Sequence, residues 1–441
     1  VMCSMTAQSP QESATATTAS PCGSSPLHDL IVVGGGPAGY LAAITAAELG
    51  LERVAVLEAT PEPLTKVRLS GGGRCNVTHA CWDPTDLVRH YPRGSRPLRG
   101  PFSRFACGDA VAWFSERGLE LVEEADGRMF PRANRSDAVI QCLQRASRDA
   151  GVQLHTGSPV RGLVRCADGF QLEGSGGRSL PRSSWQARRV LLATGGHPSG
   201  RKLAAGLGHR IIAPLPSLFT LALDAAGLTA CSGVALDDVE LQLSLPGGRW
   251  QQHGRVLITH WGLSGPATLR LTAFAARALH AERYRGALTV RWLGGLRLEQ
   301  GVAVVRALRH DQARRTLAAA RPCPDRLPRR LWLALLEQVG ADPQRRWADC
   351  PAAWERALAQ ALTGSHYSIR GRGPFGEEFV TAGGVDLGDV NLATMESRVM
   401  PGLHFAGELL DVDGVTGGFN FQHCWSSGWL AGQAIAAALT T

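Results

Sequence analysis

Lysine is almost absent from this sequence of 441 residues. Lys66 and Lys202 are the only lysines among 46 basic residues, so arginine carries nearly all of the positive charge. With 38 acidic residues the formal net charge is +8. A basic surface can indicate a nucleic-acid or phosphate-rich partner, and it can equally reflect a genome whose base composition favours arginine codons. The charge alone therefore leaves the class of partner open.

Long apolar runs are also lacking. No stretch of about 20 residues is free of Gly, Pro and charge, so no membrane-spanning helix is expected. Residues 1–27 are rich in Ser, Thr, Ala and Pro, with neither a basic start nor an apolar segment. We expect them to form a disordered tail and not a signal peptide.

The sequence has no Cys-x-x-Cys pair. Its 11 cysteines are scattered, which argues against zinc ribbons and thioredoxin-like dithiol sites. Reduced thiols in a cytoplasmic protein are the expected state of so dispersed a set. Asp411 and Asp413 resemble the start of a calcium loop, but the rest of that pattern is missing, so no metal site is expected.

The first apolar segment, residues 30–33, is followed by a GxGxxG fingerprint. An alanine-rich helix comes next, and then a second strand that ends at Glu58, an acid that can bind a ribose hydroxyl. In such a unit Gly34 permits the tight turn, Gly36 lets a pyrophosphate approach the backbone, and Gly39 lets the helix pack close to the strand. The helix N-terminus favours the diphosphate. The predicted dinucleotide contacts are Gly34, Gly36, Pro37, Ala38, Gly39 and Glu58.

A second GxGxxG pattern at residues 371–376 lacks this context. Residues 377–381, which follow it, predict a strand where the fingerprint requires a helix. We therefore interpret the second pattern as a turn.

Two later segments favour FAD over NAD. Residues 189–196 predict a strand ending in Ala-Thr-Gly-Gly, and residues 402–408 a strand ending in a Gly-acid pair, both similar to segments of two-domain FAD enzymes. After residues 416–420 a helix is predicted from about Phe421 to Ala437, and its N-terminus could stabilise negative charge on a flavin. The sequence has no second complete dinucleotide motif, so NAD(P)H is expected to dock transiently. These segments add the expected contacts Ala193, Thr194, Gly195, Gly407, Glu408, Gly417, Gly418 and Phe419.

Longer motifs extend this pattern over residues 28–441. They lie at residues 70–78 (SGGGRCNVT, after Lys66), 127–131, 259–266, 380–385 and 405–418. The set resembles the BaiN-like family of bacterial NAD(P)/FAD-dependent oxidoreductases, the aminoacetone-oxidase-type flavoproteins. SGGGRCN and the C-terminal block are far more specific than the glycine fingerprint.

The resemblance implies an α/β fold with a discontinuous Rossmann-like FAD-binding domain and an inserted β-barrel-like plus helical domain. We expect the FAD-binding domain at residues 28–214 and 376–441, and the inserted substrate or cap domain at 215–375. Short alternating runs at about 215–298 and helical patterns at 299–362 agree in outline.

The SGGGRCN segment is expected to wrap the flavin, with a structural turn as the alternative. Consecutive glycines let the backbone lie against a flat ring, and Arg74 offers a planar fork for phosphate or carbonyl oxygen. The expected contacts are Lys66, Ser70, Gly72, Gly73, Arg74, Cys75 and Asn76, and Val160 completes the cofactor set.

Two side chains are candidates for chemistry. His260 precedes a helix predicted to start at Pro266, and it could donate the proton that reduction of a C=C bond requires; a core or capping histidine is the alternative. Cys75 could be a redox thiol, but it has no partner at disulfide-reductase spacing, so a small packed thiol is the other interpretation.

The densest basic segment, residues 89–105, interleaves arginines with Tyr91, Phe102 and Phe105. Arginine with aromatics suits RNA binding through phosphate pairing and base stacking, whereas a solvated loop is the simpler interpretation.

Together the motifs and the resemblance predict a FAD-dependent oxidoreductase. NAD(P)H would supply the electrons, and a C=C or C=O bond of a small organic substrate would receive them. The first alternative is an RNA-modifying flavoprotein that reduces uridine to dihydrouridine, which the basic segment would help to bind. The second is a flavin-binding redox sensor without turnover.

Overall fold

The computed structural model describes residues 26–174, 183–373 and 380–440. Residues 1–25 of the predicted tail and residues 374–376 of the second glycine pattern lie outside the described residues. No helix in these three stretches combines the length and the apolar character that crossing a bilayer requires.

The described residues form strands that are mostly short. They are β1 (Leu27–Val33), β2 (Val54–Leu57), β3 (Thr78–His79), β4 (Leu121–Glu123), β5 (Arg128–Pro131), β6 (Gln153–His155), β7 (Val160–Cys166), β8 (Gly169–Gly174), β9 (Ser184–Leu192), β10 (Ile211–Pro216), β11 (Leu221–Asp224), β12 (Ala235–Leu245), β13 (Gly248–Ile258), β14 (Gly262–Ser264), β15 (Gly286–Arg291), β16 (Ser365–Arg372), β17 (Thr381–Val385), β18 (Val390–Asn391), β19 (Glu396–Ser397) and β20 (Leu403–Phe405).

The helices range from single turns to one of 22 residues at the C-terminal end. They are α1 (Pro37–Glu48), α2 (Thr65–Gly73), α3 (Pro84–Leu87), α4 (Arg99–Arg104), α5 (Cys107–Glu116), α6 (Ser136–Asp149), α7 (Pro198–Gly206), α8 (Ala226–Thr229), α9 (Pro266–Ala281), α10 (Leu298–Asp311), α11 (Arg329–Gln338), α12 (Ala352–Gly364) and α13 (Phe419–Thr440).

The largest sheet has a parallel centre in the order β20-β9-β1-β2-β6. Strands β19 and β18 extend it at one edge. Strand β8 joins it by antiparallel pairing to β9, and β7 pairs antiparallel with β8. Residues 30–33 and 54–57 are fully or almost fully buried, as expected for parallel strands covered on both faces. The carboxyl ends of β1, β2 and β9 therefore meet at one edge, where α/β sheets bind ligands.

A second core lies in a closed six-stranded barrel of order β11-β14-β13-β12-β15-β16. Its inward side chains, such as Leu241 and Leu243, are fully buried, and the helical part packs around Trp332 and Trp347. Strands β10 and β17 pair antiparallel on the two chain segments that connect the barrel to the main sheet. The predicted fold class is confirmed: a discontinuous Rossmann-like domain with an inserted barrel and helices. The numerical limits of the two domains remain predictions.

The basic segment 89–105 is not a solvated loop. It contains α4, and Tyr91, Phe102 and Phe105 are at most 4% exposed because they pack into the core. These rings are therefore not available to stack on RNA bases. Arg93 of this segment is itself buried, and the exposed arginines do not alternate with accessible aromatics.

Candidate functional site

A cleft of about 1120 Å³ opens at the carboxyl edge of the parallel sheet. It is bordered by the ends of β1, β2 and β9, by α2, and by the turn that leads into α13. The sequence-predicted residues that line it are Gly34, Gly36, Pro37, Ala38, Glu58, Lys66, Ser70, Gly72, Asn76, Val160, Ala193, Thr194, Gly195, Gly407, Glu408, Gly417 and Gly418.

The glycine fingerprint shapes the floor of the cleft. Gly34 has φ +114°, and a Cβ atom there would lie 2.5 Å from the carbonyl oxygen of Ala193. Gly36 leaves open space, since a Cβ atom there would meet nothing closer than 4.0 Å. Gly39 does not line the cleft; a Cβ atom there would lie 2.1 Å from the oxygen of Gly34, so this glycine lets α1 pack against the turn.

Glu58 closes the same turn from the end of β2. Its Oε2 accepts a hydrogen bond from the Gly35 amide at 2.8 Å, and its Oε1 accepts from the amide and hydroxyl of Thr60 at 2.8 and 2.7 Å. Each carboxylate oxygen has two acceptor positions. Glu58 can therefore hold the loop and still receive a ribose hydroxyl.

An ion pair crosses the cleft between residues far apart in the chain. Lys66 on α2 donates to Glu408 Oε2, and the Thr381 amide donates to Glu408 Oε1 at 2.9 Å. Glu408 is 14% exposed at its side chain and Lys66 is 59% exposed. The pair joins the SGGGRCN segment to the C-terminal Gly-acid motif that the sequence singled out.

Two residues that line the cleft each carry a buried side-chain oxygen without a hydrogen-bond partner in the described part of the chain. Asn76 Oδ1 and Thr194 Oγ1 form no hydrogen bond within the described part of the chain, although both atoms are buried. Buried polar groups are normally hydrogen-bonded. With the open space at Gly36 and the free amides at the N-terminus of α1, these atoms fit a ligand that carries a diphosphate, hydroxyls and an imide, as FAD does.

Several predicted residues do not reach the cleft. Arg74 donates to Glu124 at 2.7 Å and its guanidinium lies 4.0 Å above the Phe130 ring. Phe419 is buried and lies between His79 and His90, with ring centroids 4.6 and 4.1 Å away. Both side chains thus have intramolecular partners, and Gly73 likewise does not line the cleft.

Neither candidate catalytic residue lies on the cleft. Cys75 is fully buried, and burial raises the pKa of its thiol to about 12, so the thiol is neutral and packed. His260 is exposed and does not line the cleft, so it is neither placed for proton transfer there nor a core histidine. The structure thus places His260 away from the cleft and outside the core.

The cleft also has apolar walls that the motifs did not indicate. Leu69, Phe130 and Phe421 line the cleft, and Leu69 is 67% exposed. Leu218 and Leu269 also line it, and they come from the segment before β11 and from α9. Phe130 stands in the motif at residues 127–131, but no motif indicated that these side chains share one cleft, because tertiary packing brings them together.

The HI0933-like protein Rossmann domain family matches residues 28–434. The chain belongs to this family. The resemblance to BaiN-like flavoproteins is thus confirmed, and with it a FAD-binding oxidoreductase framework.

Named relatives match along almost their whole length. The chain is 30% identical over 423 residues to the 3-dehydro-bile acid delta(4,6)-reductase of Clostridium scindens, covering 92% of this chain and 98% of that protein. It is 27% identical over 421 residues to the ribosomal RNA dihydrouridine synthase of Escherichia coli, covering 93% and 98%. The solved 3-ketosteroid delta1-dehydrogenase of Sterolibacterium denitrificans is 15% identical with a TM-score of 0.51 over 93% of this chain and 100% of that one, which supports the fold alone.

Proposed function

We propose that this protein is a FAD-dependent reductase that uses NAD(P)H to reduce a C=C bond of a small organic substrate. The observation that carries the proposal is a single cleft in which the FAD fingerprint residues adjoin apolar walls. The Clostridium scindens relative is named as a reductase, which supports the direction of the reaction. When bound, FAD supplies the electron-transfer chemistry, and the chain supplies binding, orientation and electrostatics.

The residues on the cleft have separate tasks in this proposal. The N-terminus of α1 and the Gly34–Ala38 backbone hold the diphosphate, and Glu58 holds a ribose. The side-chain oxygens Asn76 Oδ1 and Thr194 Oγ1 gain hydrogen bonds that these two atoms lack within the described residues. The apolar walls hold the substrate skeleton and exclude water, which strengthens every polar interaction inside.

The proposal is tested by anaerobic titration of the purified protein with FAD and then with NADH or NADPH. We expect a protein-bound flavin spectrum that bleaches with one or both nucleotides, and recovery on adding an α,β-unsaturated ketone of steroid size. Failure to bind FAD, or a reduced flavin that transfers electrons to no C=C acceptor, contradicts the proposal.

A matched pair of exposed leucines tests the apolar wall. Leu69→Ser should raise KM for the ketone acceptor about tenfold, since burying a leucine side chain contributes about 1.5–3 kcal/mol. Leu49→Ser, at the far end of α1 and also exposed (44%), should leave KM unchanged because Leu49 does not line the cleft. Equal effects of the two variants would contradict the wall's role.

A second candidate, reduction of a base in ribosomal RNA, is favoured by where the positive charge lies. Residues 215–373 contain 21 arginines against 12 acidic residues, whereas the remainder of the chain has slightly more acidic than basic residues. The entire net charge of +8 is thus on the inserted domain. Such asymmetry favours a polyanionic partner, and the Escherichia coli relative is named for ribosomal RNA.

Four of these arginines form one patch. A bridge pairs Thr316 with Arg346, and the Trp347 amide donates to the Arg315 oxygen at 3.0 Å, so two chain segments run side by side. The patch consists of Arg314, Arg315, Arg345 and Arg346, all exposed, and none forms an ion pair with an acidic residue that the structure describes.

Binding of a ribosomal RNA fragment at several salt concentrations tests this candidate. Arg314→Gln/Arg346→Gln should weaken binding and reduce the salt slope by about 2, or one for each lost phosphate contact. Arg96→Gln/Arg99→Gln, which removes two exposed arginines of segment 89–105, is the matched control and should bind like wild type. A larger loss of RNA affinity in the control variant would place the RNA-binding surface at segment 89–105. If the wild-type protein does not bind the RNA fragment, this candidate function is excluded.

A further inference from the structure

The segment between β20 and α13 forms part of the cleft wall. Val415, Thr416, Gly417 and Gly418 line the cleft, and we call residues 411–418 the cleft loop. Only a few of its contacts are with its own neighbours in sequence, chiefly the bonds between Gly414 and the Asn420 side chain at 2.8 Å. Others come from distant parts of the chain, and several of these converge on Asp411 and Asp413.

A buried ion pair holds the loop from behind. Asp413 is fully buried and both of its carboxylate oxygens accept hydrogen bonds from the Arg93 guanidinium. Arg93 Nη2 also donates to the Ser217 hydroxyl at 3.2 Å and to the Ala273 carbonyl at 2.9 Å. Ser217 in turn donates to Asp413. One guanidinium thus joins four chain segments, and neither charged side chain lines the cleft.

The same face of α9 reaches the cleft, the ion pair and the loop. Leu269 lines the cleft, Ala273 accepts from Arg93, and Arg277 donates to both oxygens of Asp411 at 2.9 and 3.1 Å. Residues four apart share one face of a helix. Helix α9 belongs to the inserted domain, so its position and that of the cleft loop are linked.

A buried ion pair seldom gives net stability, because desolvation offsets the attraction. Arg93 and Asp413 could be replaced by apolar residues at little cost to folding if packing were their only task. Their hydrogen bonds are directional, however, and they fix the loop relative to α9. The segment that carries Arg93 holds the loop a second time, since the Val415 amide donates to the His90 oxygen at 2.8 Å.

We propose that Arg93 and Asp413 are positioning residues, which set the cleft loop against the bound FAD and tie its placement to α9 of the inserted domain. The inference rests on the proposed binding of FAD in the cleft. The pair contacts no reacting atom; it acts through residues 414–418. Misplacement of a positioned group by about 1 Å can reduce a rate about a hundredfold.

The first test is Asp413→Asn, which keeps the size of the side chain and a hydrogen bond to Ser217 but removes the charge. We expect FAD still to bind, because the fingerprint is untouched, while the visible flavin spectrum and the midpoint potential shift. Reduction by NADPH should slow by about tenfold to a hundredfold. Amide hydrogen exchange of residues 414–418 should rise in the FAD-free protein as well.

Two further variants separate positioning from stability. Arg93→Met/Asp413→Leu removes both charges and should fold at least as well as the single variant, yet it should show the same altered spectrum and the same fast exchange. Arg277→Gln breaks the more exposed tie to Asp411 and should change the spectrum less, since the Arg277 side chain is 52% exposed.

The outcomes that overturn the inference are distinct from failure of the proposed function. If amide exchange at 414–418 in the FAD-free protein is unchanged in both Asp413 variants, the ion pair does not place the loop. A wild-type spectrum and potential in both variants, with only a lower melting temperature, would equally overturn it. A wild-type protein that binds no FAD contradicts the proposed function, while the exchange measurement still decides whether the pair positions the loop.

Discussion

At the scale of single residues, the cleft depends on glycines, whose lack of a side chain lets the backbone form the turn. Gly34 combines a left-handed backbone with a close approach to Ala193, so no other residue fits its place in the turn. Gly50 has a similar φ of +101°, but a Cβ atom there meets nothing within 4 Å. The two glycines therefore share the backbone strain and differ only in the steric conflict.

This difference predicts different effects of an alanine substitution at the two positions. Gly50→Ala should cost about 1–2 kcal/mol of unfolding free energy from the positive φ and leave FAD affinity unchanged. Gly34→Ala should cost more, and it should weaken FAD binding at least about tenfold, because the overlap with Ala193 displaces the turn that faces the diphosphate. Fluorescence titration with FAD and thermal unfolding measure the two quantities; equal FAD affinity in both variants would contradict the role of the turn.

The residues that the sequence predicted well are those whose signal is local. Gly34, Gly36 and Glu58 stand within one strand–turn–helix–strand unit, so spacing alone brings them to the cleft. Arg74 and Cys75 stand in a more specific motif but turn away from the cleft, because Glu124 and the core hold them. A motif identifies a segment, whereas the direction of each side chain depends on partners elsewhere in the chain.

At the scale of elements, the FAD-binding framework depends on how closely α13 packs on α1. A Cβ atom on Gly428 would lie 2.5 Å from the Ala38 oxygen, and one on Gly432 would lie 2.6 Å from the Ala42 oxygen. Residues 428 and 432 are one turn apart on the same face of α13. Two glycines therefore let the helices approach with their backbones almost in contact, beside the N-terminus of α1.

We expect Gly428→Ala to lower the melting temperature and to weaken FAD binding together. The added methyl group must push α13 away from Ala38 in the first turn of α1, and overpacking of this kind costs about 1–3 kcal/mol. Gly206→Ala in α7 is the control, since nothing lies within 4 Å of that position and alanine favours a helix by up to about 1 kcal/mol. If Gly428→Ala binds FAD with wild-type affinity, the helix contact does not support the site.

Contacts between distant elements could not be predicted from the sequence. Arg93 and Asp413 are 320 residues apart, and no spacing rule links them. The orientation of the aromatic side chains in segment 89–105 could not be predicted for a related reason. An arginine-aromatic pattern is the same whether the rings face RNA or the core. Burial in the structure decides between the two for Tyr91, Phe102 and Phe105.

At the scale of the whole molecule, buried histidines couple stability to pH. Burial lowers the pKa of His90, His404 and His423 to about 4 in each case. His404 Nε2 and His423 Nδ1 are buried and have no hydrogen-bond partner in the ranges that the structure describes. A proton on any of these rings is thus disfavoured in the folded protein and accepted near pH 6.5 in the unfolded chain.

The unfolded state consequently binds more protons than the folded state between about pH 6.5 and pH 4, and stability must fall as the pH falls through this interval. By pH 5 each of the three histidines should remove up to about 2 kcal/mol of unfolding free energy. Carboxylates with lowered pKa values, such as Glu355, add to the loss only below about pH 4.5, where unfolded carboxylates take up protons. Histidines with lowered pKa values therefore dominate the loss from pH 6.5 to 5, whereas burial raises the pKa of the Asp413 carboxyl and so gives that group the opposite effect.

Thermal unfolding between pH 7 and pH 5 should show a melting temperature that decreases steadily. His423→Gln removes one of several proton acceptors, since burial also lowers the pKa of His79 and of His209. Its melting temperature should therefore depend less steeply on pH, whatever its value at pH 7. His310→Gln, at a side chain that is 90% exposed, is the control for the effect of the substitution itself. The comparison uses the slope of melting temperature against pH and not absolute stability, so a general weakening by either substitution cannot imitate the result. An unchanged slope in His423→Gln would show that His423 takes up its proton in the folded protein as readily as in the unfolded chain.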